Sequence, residues 1–229
     1  VAAAQRGGPH EIIVVDGGST DRTLEIARAH DAIVLESPAG RARQMNRGAT
    51  VATGEFLLFL HADTLLSAGY PALVRSTLGR ECVVGGAFEF AIAGDFFGRR
   101  LIERGTNWRA RRRQLPYGDQ GIFLRHDLFS QLGGFADLPI MEDYDFVRRL
   151  RRLGTIALAP GVAQTSGRRW QHLGPLRTLF INQLVVIGYF AGISSARLAD
   201  WYHRPRRSRA APLAHSGNKV PAAAFSSHG

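Results

Sequence analysis

The chain has 229 residues, 45% of them hydrophobic and 26 of them glycine, enough to bury a core as one domain with an appendage, and unlike a disordered chain. The one cysteine, Cys82, excludes an internal disulfide and a cysteine-rich zinc site, and Val83 and Val84 beside it predict a buried structural thiol. The net charge of +10 is uneven: from 168 to 229 there are nine Arg or Lys against one acid, Asp200, which leaves eight of the ten excess charges there.

A basic appendage of this kind either meets an anionic surface, membrane headgroups or nucleic acid, or only keeps the chain soluble. Residues 1–8 have neither the charged start nor the apolar stretch of a signal peptide, and the absence of an initiating Met suggests a truncated or processed start. Residues 1–9 read as a frayed helix end or linker. The run 11–16, Glu-Ile-Ile-Val-Val-Asp, predicts a strand ending in an acid, and Gly17-Gly18-Ser19-Thr20-Asp21 predicts a turn and the cap of a helix carrying Leu24 and Ala27. A second strand is expected over 32–35. Ala42, Met45, Ala49 and Ala52, spaced three or four apart, give the next helix, with Gly54 as its C-terminal cap.

Residues 55–64 are near-continuously apolar until His61, Asp63 and Thr64. That pattern predicts a strand covered on both faces, which delivers Asp63 to the sheet rim where ligands of open α/β sheets collect. Asp63 either caps the next element or binds something there. Beyond it come a helix over 67–78 with Pro71 in its first turn and a strand over 82–92. Next is a basic stretch over 96–117, with seven arginines between Arg99 and Arg113 interleaved with Phe97, Leu101, Ile102 and Trp108. Such a helix faces acidic lipid, an anionic acceptor or solvent. A strand over 121–125, a short helix over 127–132, a helix over 142–153 with acids first and bases last, and a strand over 155–159 complete the alternation. The apolar stretch 176–193 is broken by Arg177, Asn182 and Gln183, which favours a docked or interfacial helix over a membrane span. From 204 onward the Arg, Pro, Ser and Ala content predicts disorder.

Asp16, Asp63 and Asp143 each stand at a strand end or helix start, on what would be one rim of the sheet. Carboxylates gathered there repel a bare anion, so a phosphate ligand requires a bridging Mg²⁺ or Mn²⁺. These residues also carry a resemblance. Val14-Val15-Asp16-Gly17-Gly18-Ser19-Thr20-Asp21, Asn46-Arg47-Gly48 with Ala52 and Gly54, Phe59-Leu60-His61-Ala62-Asp63, Gly133-Gly134-Phe135 and Glu142-Asp143-Tyr144-Asp145 resemble, in order and spacing over roughly 11–170, the family 2 glycosyltransferases of the GT-A fold. Within that family the chain looks most like the small bacterial radical-SAM and selenodomain-associated transferases.

The resemblance implies an α/β, Rossmann-like, mostly parallel sheet flanked by helices. It divides the chain into a transferase domain over 1–174, C-terminal amphipathic or apolar helices over 175–203 and a basic tail over 204–229. It implies inverting transfer of a sugar from a nucleotide-diphosphate donor to an acceptor hydroxyl, with a divalent cation. Asp143 would be the general base, flanked by Glu142 and Asp145, and Asp63 the metal ligand. Asp16, Gly17, Ser19, Arg41, Asn46, His61 and Arg169 would hold the donor; Asp119, Gln120, Asp145 and Trp170 would lie toward the acceptor. Trp170 is also explained by core packing. The sequence departs from the family in three places. His61 stands where the family carries its first acid, and Ser166 where it carries Gln. The family's first strand, central in its sheet, should precede Val1, so an exposed edge or gap is expected. The reading is of a cytoplasmic enzyme, at the inner membrane face, with peripheral membrane contact and no nucleic-acid partner. The alternatives are a basic lipid- or nucleic-acid-binding module on an α/β scaffold and a truncated, inactive relative.

Overall fold

The computed structural model describes residues 11–168, 170 and 174–203; the expectations for residues 1–9, for Arg169 and for the tail over 204–229 lie outside them. The order of elements is β1 (Ile13–Asp16), α1 (Thr23–Arg28), β2 (Ile33–Glu36), α2 (Arg41–Ala49), β3 (Phe56–Phe59), β4 (Thr64–Leu66), α3 (Tyr70–Leu78) and β5 (Val83–Ile92). Then come α4 (Arg99–Arg113), a 3-10 turn (Gly118–Gln120), β6 (Ile122–Arg125), α5 (His126–Gln131), α6 (Glu142–Leu150), β7 (Thr155–Thr165), α7 (Pro175–Phe190) and α8 (Ser195–His203).

Two sheets form. β1 and β2 pair in parallel, and β3-β6-β5-β7-β4 make a five-stranded sheet. The parallel pairings are β1–β2 and β5–β7, whereas β3–β6, β5–β6 and β4–β7 are antiparallel, so the larger sheet is mixed. Its inner strands β5 and β6 are apolar on both faces because helices cover both. On β6, Ile122 and Leu124 join Leu57, Phe146, Val147 and Leu150 in one cluster, while Phe123 between them joins Phe88, Tyr70, Val74 and Leu78 in the other. Two glycines of β5 allow this packing: a Cβ on Gly86 would stand 2.4 Å from the Phe123 ring, and one on Gly85 2.7 Å from Leu150.

Three sequence expectations are corrected. β7 runs on to Thr165, past Pro160-Gly161, because those two residues bulge between the pairs Phe88↔Ala159 and Glu89↔Val162, where a missing N–H leaves no gap in the ladder. α2 ends at Thr50 rather than at Gly54, whose N–H donates to the Glu11 carboxylate at 2.8 Å. Cys82 is exposed, in a left-handed conformation (φ 61°) ahead of β5, because the turn lifts it out before the valines enter the sheet.

α4 closes the side of β5 that is left open beyond its pairing with β6 at Gly85 and Gly86. Asn107 accepts from the N–H of Phe90 (2.7 Å) and donates to its carbonyl (3.0 Å), and Glu103 accepts from the N–H of Ile92 (2.9 Å). Trp170 lies buried with Phe90, Ile92 and Ile102, which is the core-packing reading of that residue. Between the sheets lies an apolar cleft of about 1190 Å³, walled by residues 12–15 of β1 on one side and 56–60 of β3 on the other. Among the described residues neither strand has a partner on that side, which is the gap implied for an absent central strand. Glu11 ties its walls together, its carboxylate also accepting from the N–H of Thr53. Among the described residues no helix is long and apolar enough to cross a membrane.

Candidate active site at the sheet rim

Antiparallel pairing of Phe59 with Ile122 sets the exit of β3 beside the entry of β6. His61 and Asp63 therefore leave the sheet next to the Gly118–Gln120 turn. α6 begins at the same place, after Met141 in a left-handed conformation (φ 71°) that is costly for a side chain this large. The result is a convergence on Gly118. A Cβ built there would lie 3.0 Å from Arg41 Nη2, 3.0 Å from Asp143 Oδ2 and 3.0 Å from His61 Nε2, so a side chain there would crowd all three groups.

Asp143 is held from two sides. Its Oδ2 accepts the N–H of Gly118 at 2.6 Å, and its Oδ1 accepts the N–H of Tyr144 at 2.7 Å. A carboxylate has about four lone-pair sites, so acceptor capacity remains for a ligand. Glu142 beside it is almost wholly buried. Burial and the neighbouring Asp143 raise its pKa, against the pull of Arg41. Arg41 Nε lies 3.1 Å from Glu142 Oε1, close enough for an ion pair but not aligned as a hydrogen bond.

Arg41 also approaches His61 Nε2 at 2.5 Å. A guanidinium can only donate, which makes Nε2 the unprotonated nitrogen. Burial first, then Arg41, bring the His61 pKa down to about 4 against the opposing pull of Asp143 and Asp63, so the ring is neutral at physiological pH. Where an acid would add negative charge, this chain places a neutral ring bonded to a cation. Asp119 is pushed the other way, to about 6, by burial and then Asp143, with Arg109 and Arg41 opposing. Its enclosed Oδ1 has no hydrogen-bond partner.

Asp16 ends β1 buried, its Oδ2 accepting the N–H groups of Gly18 (2.8 Å) and Ser19 (2.9 Å). The Ser19 hydroxyl and these amides lower its pKa. Gly17 lets the Gln44 side chain pass within 3.0 Å of where a Cβ would be, on its way to the Val15 carbonyl. Asp63 stands exposed beyond β3, and Arg41, His61 and Asp63 line the mouth of the cleft between the sheets.

Other predicted site residues make hydrogen bonds within the fold. Asn46 brackets the backbone of Phe135, donating to its carbonyl (2.8 Å) and accepting its N–H (2.9 Å). Gln120 is fully buried between the Phe88 carbonyl (3.0 Å) and the Tyr117 N–H (3.2 Å). Asp145 pairs with Arg149 at 2.9 Å, and Arg149 in turn holds the carbonyls of Leu132 and Gly134. The sequence reading missed Gly118, Arg109 and Tyr117. Arg109 stacks its guanidinium 3.4 Å over the Tyr117 ring, next to Asp119. The charge pattern did not separate it from the other six arginines of the same helix.

A divalent cation can be tested against these donors. Among the described residues no group of three or more His, Cys, Asp or Glu gathers to hold a metal, and His61 Nε2 is engaged by Arg41. Asp63 alone is an exposed hard oxygen donor at the cleft mouth. This set fits Mg²⁺ or Mn²⁺, which bind through one or two carboxylates and complete their shell with substrate phosphates and water.

Residues 2–133 match the family model described as Glycosyl transferase family 2. A PGL/p-HBAD biosynthesis glycosyltransferase of Mycobacterium bovis (strain BCG / Pasteur 1173P2) is 34% identical over 164 residues, covering 63% of this chain and 59% of that protein. The chain thus spans about 59% of that relative's length. The uncharacterized glycosyltransferase YibD of Escherichia coli (strain K12) is 39% identical over 74 residues, 30% of this chain and 21% of the relative. Among solved structures, the Pyrobaculum calidifontis mannosyltransferase PcManGT in complex with GDP-Man and Mn²⁺ superposes with a TM-score of 0.54 at 19% identity, over 71% of this chain and 50% of that one. S. aureus TarS 1–349 in complex with UDP gives 0.54 at 18%, over 72% and 55%. The fold is the GT-A fold of these neighbours.

Proposed function

The chain belongs to glycosyl transferase family 2, and on that premise we propose that it moves a glycosyl group from a nucleotide-diphosphate sugar to an acceptor hydroxyl, with inversion and with a divalent cation. One observation carries the reading: Arg41, His61 and Asp143 converge on Gly118 beside a cleft that the exposed Asp63 also lines.

In this reading the acceptor oxygen attacks the anomeric carbon as the bond from that carbon to the diphosphate oxygen breaks, and the bonding pair leaves with the diphosphate. Asp143 takes the acceptor proton on a lone pair left over by Gly118 and Tyr144, whose N–H groups fix its aim. Asp63 would hold Mg²⁺ or Mn²⁺, and the ion when bound would supply charge neutralisation at the leaving diphosphate. Arg41 adds fixed positive charge beside it, and burial together with Arg41 keeps His61 neutral, so this position adds no negative charge against the diphosphate. Asp16, with its Gly17 and Ser19 turn, is placed to meet the nucleoside; Asp119 faces the base and bears on the acceptor side.

The test is a thermal-shift panel of nucleotide sugars with Mn²⁺, Mg²⁺ or chelator. A true donor at a hundred times its Kd adds about 2.7 kcal/mol, a midpoint shift of several degrees, and the shift should vanish with chelator or in Asp63→Asn. Asp143→Asn should keep the donor shift and lose transfer by at least about a hundredfold. Retained turnover would remove Asp143 as the base, and a flat panel would remove the donor reading.

A further inference from the structure

We propose that the outward face of α4 is a docking surface for a bilayer carrying anionic phospholipid. Residues seven apart on a helix lie on one side, and Leu101 and Trp108 are both turned to solvent, 75% and 57% exposed, with Phe97 just ahead of the helix at 93%. Three large apolar side chains in one strip form a patch of the kind that marks an interaction site. Steps of about 100° per residue set Arg100 and Arg104 on one flank of the strip and Arg112 on the other. These arginines are exposed and make no ion pair among the described residues.

The one acid of α4, Glu103, is turned inward to the Ile92 N–H and Arg99. Arg111 is engaged by Glu89. The nearest exposed acid, Asp95, precedes the helix and lies 3.8 Å from Arg99. The face therefore has an apolar centre, cationic margins and no negative charge of its own. Phe, Leu and Trp enter the boundary between headgroups and acyl chains while arginine heads stay at the phosphates. A protein partner would have to offer a narrow apolar groove rimmed on both sides by acids; an anionic bilayer offers this match everywhere.

A second helix also carries exposed apolar side chains. α7 packs on the same buried cluster as α4, through Leu179 against Ile102, Phe90 and Trp170. Phe180 and Ile187, again seven apart, are turned out from it at 64% and 61% exposure. Since α4 ends in the strand of chain that enters the Gly118–Gln120 turn, docking on this face would hold the candidate active site close to the lipid surface. The inference stands on exposure and charge, apart from the donor reading.

The test is flotation of the full 229-residue chain with phosphatidylcholine vesicles and with equimolar phosphatidylcholine and phosphatidylglycerol. Binding is expected only to the anionic vesicles. Leu101→Ser/Trp108→Ser should lose it by more than tenfold. Arg100→Gln/Arg104→Gln/Arg112→Gln should lose it by about a hundredfold, since each basic residue near the surface is worth about 1 kcal/mol, or fivefold. All five positions are exposed, so both variants should keep the wild-type melting midpoint. Trp108→Phe should still bind but lose most of the quenching of tryptophan emission by acyl-brominated lipid. A variant with Arg204, Arg206, Arg207 and Arg209 changed to Gln separates the tail from the helix. Binding that survives both α4 variants and disappears with the tail would overturn the proposal. So would an α4 double variant that abolishes self-association without changing vesicle binding, or binding to RNA but not to vesicles.

Discussion

Asp119 and His61 are two ionisable groups of one cluster, displaced in opposite directions by the same burial. Burial favours the neutral form of each, so the acid rises to about 6 and the imidazole falls to about 4. Their effects on stability oppose one another. Below pH 4 Asp119 is protonated in both the folded and the unfolded chain and nothing is lost. As pH rises from 4 to 6 the unfolded chain releases its proton first, so stability falls until the folded group has titrated. His61 contributes stability above pH 6.5 that is lost as pH falls through 4. Asp119→Asn removes the first effect and keeps the shape. Its melting midpoint should equal wild type near pH 4 and exceed it progressively to pH 6, by up to the order of 3 kcal/mol. A constant difference across that range, read from melting curves at closely spaced pH, would show that Asp119 ionises as freely in the folded chain as in the unfolded one.

At the scale of elements, α2 is fixed to the segment after α5 by the exposed Arg43–Asp137 pair and by the part-buried Asn46. Asn46→Ala leaves both the N–H and the C=O of buried Phe135 without partners, at a cost of roughly 2–4 kcal/mol. The variant should melt several degrees lower while binding a nucleotide sugar unchanged at a temperature where it is still folded. Reduced donor affinity at unaltered stability would return Asn46 to the donor site. This residue also marks where sequence reading stops. Most strands and helices were legible because their apolar periodicity comes from covered faces, and so were the places of Asp16 at the end of a strand and Asp143 in the first turn of a helix; the strand expected over 55–64 instead ends at Phe59, and β4 begins only after Asp63. Whether a polar side chain points at a ligand or at a neighbouring backbone depends on contacts 89 residues apart, as for Asn46 and Phe135, and no local pattern carries that. Gly118 was invisible for the same reason: what a side chain there would crowd is the meeting of Arg41, His61 and Asp143 from three separate elements. β7 was read too short because Pro160-Gly161 normally ends a strand, and only the partner register shows it as a bulge.

For the whole molecule the governing feature is the cleft between the sheets. β1–β2 is a two-stranded unit, marginal by itself in water, held by α2 against β1 and by the Glu11 bonds to Thr53 and Gly54 rather than by ladder pairing to the main sheet. The facing edges of β1 and β3 are the kind of open template that pairs with other chains. Amides of Ile13–Asp16 and Ile33–Glu36 should therefore exchange with solvent well before those of β5, β6 and β7, because opening the small sheet does not require the core between the larger sheet and its helices to open. A chain extended upstream by one apolar strand and a crossover, able to pair with β1 and β3 together, would make one continuous sheet of the two. Such a chain should exchange at β1 as slowly as at β5, melt at a higher temperature and show less concentration-dependent association. If the extension leaves the exchange of β1 and β2 as fast as before, the cleft is not a strand site, and its apolar walls serve a ligand entering past Arg41, His61 and Asp63.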